Sequence, residues 1–134
     1  MGFLNKLQPV GLLVLRVVLG LVMAVHGWQK IHGGMHHHVE TVMHLGMPGW
    51  MAYLSIAAEF LGGILLIVGF ATRLAALTVL VDMLVAMFKV HIHNGLTGPG
   101  GYQTVLILAA MSFALIFFGA GALSVDWMIG ARGK

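Results

Sequence analysis

Between Val10 and Gln29 the chain offers a single charge, Arg16, in a run of about twenty residues. About twenty predominantly apolar residues are what a helix needs to cross the ~30 Å hydrocarbon core of a bilayer. Three more stretches have this character, so spans are expected at about residues 10–30, 49–70, 72–90 and 102–123. Pro9, Pro48-Gly49 and the cluster Gly98-Pro99-Gly100-Gly101 punctuate their ends. Over 134 residues, 60% are hydrophobic and 8% charged, whereas a soluble domain carries about a quarter charged residues. The expected fold is an all-α membrane protein, a compact bundle of four transmembrane helices forming one domain over residues 1–134. Lys6 precedes the first run as in a signal sequence, but the run is too long and no clean small-residue cleavage site follows. It is expected to remain as the first span.

An even number of spans places both termini on one side. Lys6, Arg73, Arg132 and Lys134 fall on that side, and Lys30 and Lys89 on the other. The positive-inside rule then puts both termini in the cytoplasm and the His-rich loop, residues 32–48, outside. Trp28, Trp50 and Tyr102 form an outer aromatic belt, with Trp127 at the inner face. The seven basic residues are scattered and the net charge is +3, which excludes nucleic acid as a partner. Cysteine is absent. That removes disulfides, cysteine-held iron–sulfur clusters and covalently attached c-type haem.

Four ionisable residues fall within the spans: Arg16, Glu59, Asp82 and Lys89. Each costs at least ~2.5 kcal/mol near the bilayer centre unless it finds a partner. At 1.5 Å per residue, Arg16 lies about 9 Å and Asp82 about 13 Å from the inner ends of their spans. Glu59 lies about 15 Å from the outer end of its own. Arg16 is therefore expected between Glu59 and Asp82. Asp82, Lys89 and His93 recur at i, i+7 and i+11, one helical stripe. Gly62 and Gly63 beside Glu59 allow a neighbouring helix to approach closely. His26 and His91 fall near the outer surface on different helices. With Lys30 they can line an outer-facing vestibule floored by Glu59. The bland alternative is an ion pair that only holds helices together, with histidines marking where helices leave lipid.

The loop "IHGGMHHHVETVMHLGMPGW" carries His32, His36, His37, His38 and His44 together with Met35, Met43 and Met47. Imidazole suits zinc, copper or nickel, and thioether adds affinity for cuprous ion. Those five histidines are the candidate metal ligands, with copper or zinc as the candidate ion. A polar loop at the lipid surface, binding metal only adventitiously, is the competing expectation.

The segments "LLVLRVVLGLVMAVHGWQKI", "AEFLGGILLIVGFATRLAAL" and "FKVHIHNG", the "GGYQ" motif and the final "GAGALSVDW" resemble the DoxX family of small four-helix bacterial inner-membrane proteins. The resemblance runs through nearly the whole chain with the motifs in order. It maps the family's polar positions onto Arg16, His26, Lys30, Glu59, Arg73, His91 and Tyr102. The His-rich segment is longer than the family's usual connection. The resemblance implies a multi-pass protein of the bacterial inner membrane working near quinone, as a subunit of an oxidoreductase with a soluble partner subunit. Under that expectation Glu59, His26, Lys30, His91 and Tyr102 are the candidate catalytic residues and quinone the candidate cofactor. Glu59, held away from water, suits a proton relay. Two other functions remain open. One is metal-ion or small-solute transport through the polar stripe, which needs a homo-oligomer because four spans are few. The other is a non-catalytic anchor for a partner enzyme.

Overall fold

The computed structural model describes residues 2–131; Arg132 and Lys134, used above for orientation, lie outside them. A short exposed turn, α1 (Gly2–Lys6), leads into α2 (Gln8–His32). Pro9 sits in the first turn of α2, where its missing N–H costs nothing. Next come α3 (Met35–His44), α4 (Trp50–Val68) and α5 (Thr72–Ala86). The rod of α5 continues through a π-helical turn, Met87–His91, and a 3-10 turn, Ile92–Asn94. The last elements are α6 (Gln103–Phe118) and α7 (Val125–Ala131).

Three of these rods are long and apolar enough to cross a membrane: α2, α4 and the continuous run Thr72–Asn94. The fourth apolar helix, α6, has 16 residues. The expected span to residue 123 stops at Phe118 because Gly119 and Gly121 adopt φ of 74° and 81°. These left-handed values favour glycine and end a helix.

The molecule is apolar on the outside. Val14, Val18, Leu21 and Val25 on α2 are exposed, as are Leu54, Leu61 and Ile64 on α4, Leu74, Leu77 and Val81 on α5, and Phe113, Phe117 and Phe118 on α6. A water-soluble monomer does not present contiguous apolar faces of this extent, so lipid is the matching solvent. The interior combines a cluster of Leu19, Met23, Leu66, Ala76, Val79, Met83, Leu108 and Leu115 with two buried charges, Arg16 and Glu59.

The antiparallel pair α2–α4 is set by small residues. A Cβ on Gly20 would stand 2.5 Å from the Gly63 carbonyl oxygen, and one on Gly27 would stand 2.7 Å from the Phe60 nitrogen. The backbones touch there, as small residues permit in lipid. This contact fixes the register between the helices: residue 27 is level with residue 60, residue 24 with residue 63, and residue 20 with residue 67. Both polar centres follow from it.

Candidate functional site

Arg16 does not meet Glu59 or Asp82. The register places it at the C-terminal end of α4, beside the chain that follows α6. Its Nε donates to the Leu66 carbonyl (2.6 Å) and Nη1 to that of Ala120 (2.7 Å). Nη2 donates to Leu123 (2.9 Å) and Ile67 (3.4 Å). A planar guanidinium with five donors here satisfies carbonyls that a helix end leaves unpaired, at the negative pole of the α4 dipole. Asp126 of α7 completes this end. Its two carboxylate oxygens accept from the Ala71 and Thr72 nitrogens at 2.7 and 2.8 Å, capping α5. Depth counted from separate helix ends misplaces Arg16, because α2 and α4 slide along each other.

Lys30 takes the place expected for Arg16. About 21 Å further along α2 at 1.5 Å per residue, its Nζ lies 2.5 Å from Glu59 Oε2. The Glu59 side chain is 2% exposed and that of Lys30 33%, so the pair runs from the interior toward the surface. Ser55, one helical turn before Glu59, lies with Oγ 3.1 Å from Glu59 Oε2 and 2.6 Å from Asp82 Oδ1. A chain of polar groups therefore runs Lys30, Glu59, Ser55, Asp82 across α2, α4 and α5. Lys89 stays outside it. The stripe Asp82–Lys89–His93 assumes regular α-helical phase, and the π-helical turn rotates Lys89 out to an exposed position.

Two cavities meet at this chain. The first, of about 510 Å³, is lined by His26, Lys30, His37, His38, Glu59 and His91, with Gln29, Thr41 and Thr104 also on its wall. The second, of about 840 Å³, is a groove between the outer faces of α4 and α5, walled by Leu54, Leu61, Leu65, Leu74, Leu77 and Val81. Ser55, Asp82 and Lys89 stand in the groove, and Lys30, His38, Thr41, Met83, Ala86 and His91 border both cavities. The expected grouping of His26, Lys30, Glu59 and His91 is thus found around one cavity. Tyr102 caps the start of α6, its nitrogen donating to the Gly95 carbonyl at 3.1 Å, and Thr104 and Val105 line the pocket in its stead. Ser55 carries no sequence signal beyond its place one helical turn before Glu59.

His91 is held firmly. Its Nδ1 is 2.6 Å from the Gly100 carbonyl oxygen. A carbonyl only accepts, so Nδ1 carries the proton, and Nε2 of the neutral ring keeps its lone pair. The histidines of the loop are divided among tasks. His32 packs on Trp28 with ring centroids 4.0 Å apart, and His36 Nε2 lies 3.0 Å from Glu40. His37 and His38 line the pocket, and His44 is exposed at the end of α3. Among the described residues no three His, Asp or Glu side chains gather into a metal-holding group. His38 Nε2 is buried with no hydrogen-bond partner. Burial, then the nearby Lys30 charge, holds the His38 imidazole below its ordinary pKa.

The sequence has relatives. The DoxX family model matches residues 11–92. The chain belongs to the DoxX family. Over 92% of this DoxX chain and 90% of the relative, it is 31% identical to a Bacillus subtilis (strain 168) protein named "Putative oxidoreductase CatD". Over 96% of the chain and 99% of the relative, it is 32% identical to "Inner membrane protein YqjF" of Escherichia coli (strain K12). No solved structure matches it. The DoxX match ends at residue 92, so it covers Arg16, Lys30, Ser55, Glu59, Asp82 and His91. The carbonyls of Ala120 and Leu123 that complete the Arg16 site lie beyond it.

Proposed function

We infer that this DoxX chain is the membrane subunit of a quinone-linked oxidoreductase, seated in the bacterial inner membrane with α6 as its fourth span. Both termini face the cytoplasm, and the pocket between α2, α3 and α6 opens to the periplasm. What supports this reading is that a pocket lined by histidines and an apolar groove meet at one polar cluster. An isoprenoid quinone has the matching anatomy: a long apolar tail and a ring bearing two carbonyls that need hydrogen-bond donors.

The residues present fit such a group. Leu54, Leu61, Leu65, Leu74, Leu77 and Val81 suit the tail. The ring needs donors, and the groove holds Lys89 and the unpartnered His38 Nε2. A bound quinone supplies two-electron, two-proton redox chemistry. The chain's own residues orient the ring and supply protons, with Lys30 holding the Glu59 charge in place and His91 keeping one nitrogen free to accept. Electrons come from a partner subunit, in keeping with the oxidoreductase name carried by one relative.

The test is binding. The purified chain in nanodiscs is titrated with short-chain ubiquinone and menaquinone analogues, following quenching of tryptophan fluorescence. Saturable binding is expected, weakened at least about tenfold by Leu61→Trp, which fills the groove. Absence of saturation with both analogues, or unchanged affinity in the filled groove, overturns the reading.

A further inference from the structure

The groove carboxyl Asp82 and the pocket carboxyl Glu59 are joined by one hydroxyl, and counting hydrogens decides what that hydroxyl does. Ser55 Oγ is within hydrogen-bonding distance of both carboxyl groups, at 2.6 Å from Asp82 Oδ1 and 3.1 Å from Glu59 Oε2. A serine hydroxyl has one hydrogen to donate and two lone pairs. Two ionised carboxylates, which only accept, cannot both be bonded by it. One carboxyl must carry a hydrogen and donate. Glu59 Oε2 already accepts from the Lys30 ammonium at 2.5 Å. Among the described residues no lysine or arginine nitrogen stands within 4.0 Å of the Asp82 carboxyl. The hydrogen therefore lies on Asp82, which donates to Ser55, and Ser55 donates to Glu59.

We propose that Ser55 is a proton relay connecting the lipid-facing groove to the water-facing pocket, passing protons between Asp82 and Glu59. In the outward direction the Asp82 O–H bond breaks as its proton forms a bond to Ser55 Oγ. The original Ser55 hydrogen moves to Glu59 Oε2 in the same step. Glu59 then loses its proton to water in the pocket, and Asp82 is left charged, ready to take a proton from the groove side. Inward transfer reverses each bond change, and no charge is created or lost. The other titratable groups are His26, Lys30, His37, His38 and His91, which line the pocket with Glu59, and Lys89, which lines the groove with Asp82; Lys30, His38 and His91 border both. Given the proposed quinone site, this relay is the proton path that ring reduction or oxidation needs from the buried side. Ser55 is a positioning residue for that path, because it acts through the two carboxyls.

The relay is tested with no quinone present, so its failure is separate from failure of the binding assay above. Infrared spectra of the chain in nanodiscs are recorded after rapid mixing with D2O, following the carbonyl stretch of a protonated carboxyl. That band is expected to vanish in Asp82→Asn. In the unmodified chain it shifts rapidly on deuteration. In Ser55→Ala it persists but shifts at least about tenfold more slowly, a barrier increase of about 1.4 kcal/mol. Ser55→Thr, which restores a hydroxyl, recovers the fast rate, and a merely structural serine predicts no such recovery. An acid band untouched by Asp82→Asn, or equal exchange rates in Ser55→Ala and the unmodified chain, overturns the proposal. Alanine is a better helix former than serine, so α4 is expected to remain folded in that variant.

Discussion

Gly63→Ala is a sensitive probe of the packing that sets the whole site. Its added Cβ would stand 2.5 Å from the Ala24 nitrogen and 2.6 Å from the Gly20 carbonyl oxygen, where ordinary contact begins at 3.4 Å. The overlap is about 0.9 Å, and both opposing atoms are backbone. No side chain can turn away, so α2 and α4 must separate. Overpacking of this kind costs about 1–3 kcal/mol, here at the upper end. The replacement also gains up to about 1 kcal/mol, because alanine is the better helix former. The net loss is about 2 kcal/mol. Two controls calibrate it. A Cβ on Gly11 meets nothing within 4 Å, so Gly11→Ala shows only the gain. A Cβ on Gly62 meets side-chain atoms of Val79 and Thr78 at 3.3 and 3.5 Å, so Gly62→Ala is close to neutral. Equilibrium unfolding in mixed detergent micelles, with SDS as denaturant, measures all three. The stability order expected is Gly11→Ala, then Gly62→Ala, then Gly63→Ala. If Gly63→Ala falls within about 0.5 kcal/mol of Gly11→Ala, the size of an ordinary surface effect, the close crossing of α2 and α4 is refuted.

Arg16→Lys keeps the charge but offers a single nitrogen with three hydrogens, which cannot reach carbonyls on both α4 and the chain after α6. At least one charged hydrogen bond worth about 1.5–3 kcal/mol is lost, and the same unfolding assay should register it; equal stability would show that the carbonyl cradle is dispensable. His38 supplies a pH dependence. Its pKa is depressed in the folded chain, by burial first and then by Lys30, so the unfolded chain takes up a proton at higher pH than the folded one. The stability it contributes is present above about pH 6.5, its unfolded value, and is lost as pH falls through the lower folded value. Thermal midpoints should therefore fall further between pH 7.5 and 5.5 (about two units spanning that window) in the unmodified chain than in His38→Gln. Equal falls would contradict the burial of His38.

Much of the architecture was legible because lipid imposes simple rules. Long apolar runs, broken by Pro and Gly, marked the rods, and the start of α4 and of α5 came within one residue of expectation. The residues lining the pocket were legible too, since His26, Lys30, Glu59 and His91 are polar groups at helix positions that lipid would otherwise reject. The partners were not. Which charge meets Glu59 depends on how α2 slides along α4, and that slide is set by Gly20, Gly27 and Gly63 meeting backbone atoms. Hydropathy is blind to it. The carbonyl partners of Arg16 were invisible for a related reason, because backbone oxygens carry no sequence signature. The exposed position of Lys89 follows from a π-helical turn at Met87–His91, which no periodic pattern announces.

The cradle around Arg16 also has a temporal side. Two of its carbonyls, from Leu66 and Ile67, belong to the first half of the chain, and two, from Ala120 and Leu123, come more than a hundred residues after the arginine. During synthesis the guanidinium enters the bilayer long before its last acceptors leave the ribosome. A nascent polypeptide halted short of Ala120 therefore holds a half-solvated cation in hydrocarbon, and insertion is completed only when the final segment folds back to meet the first.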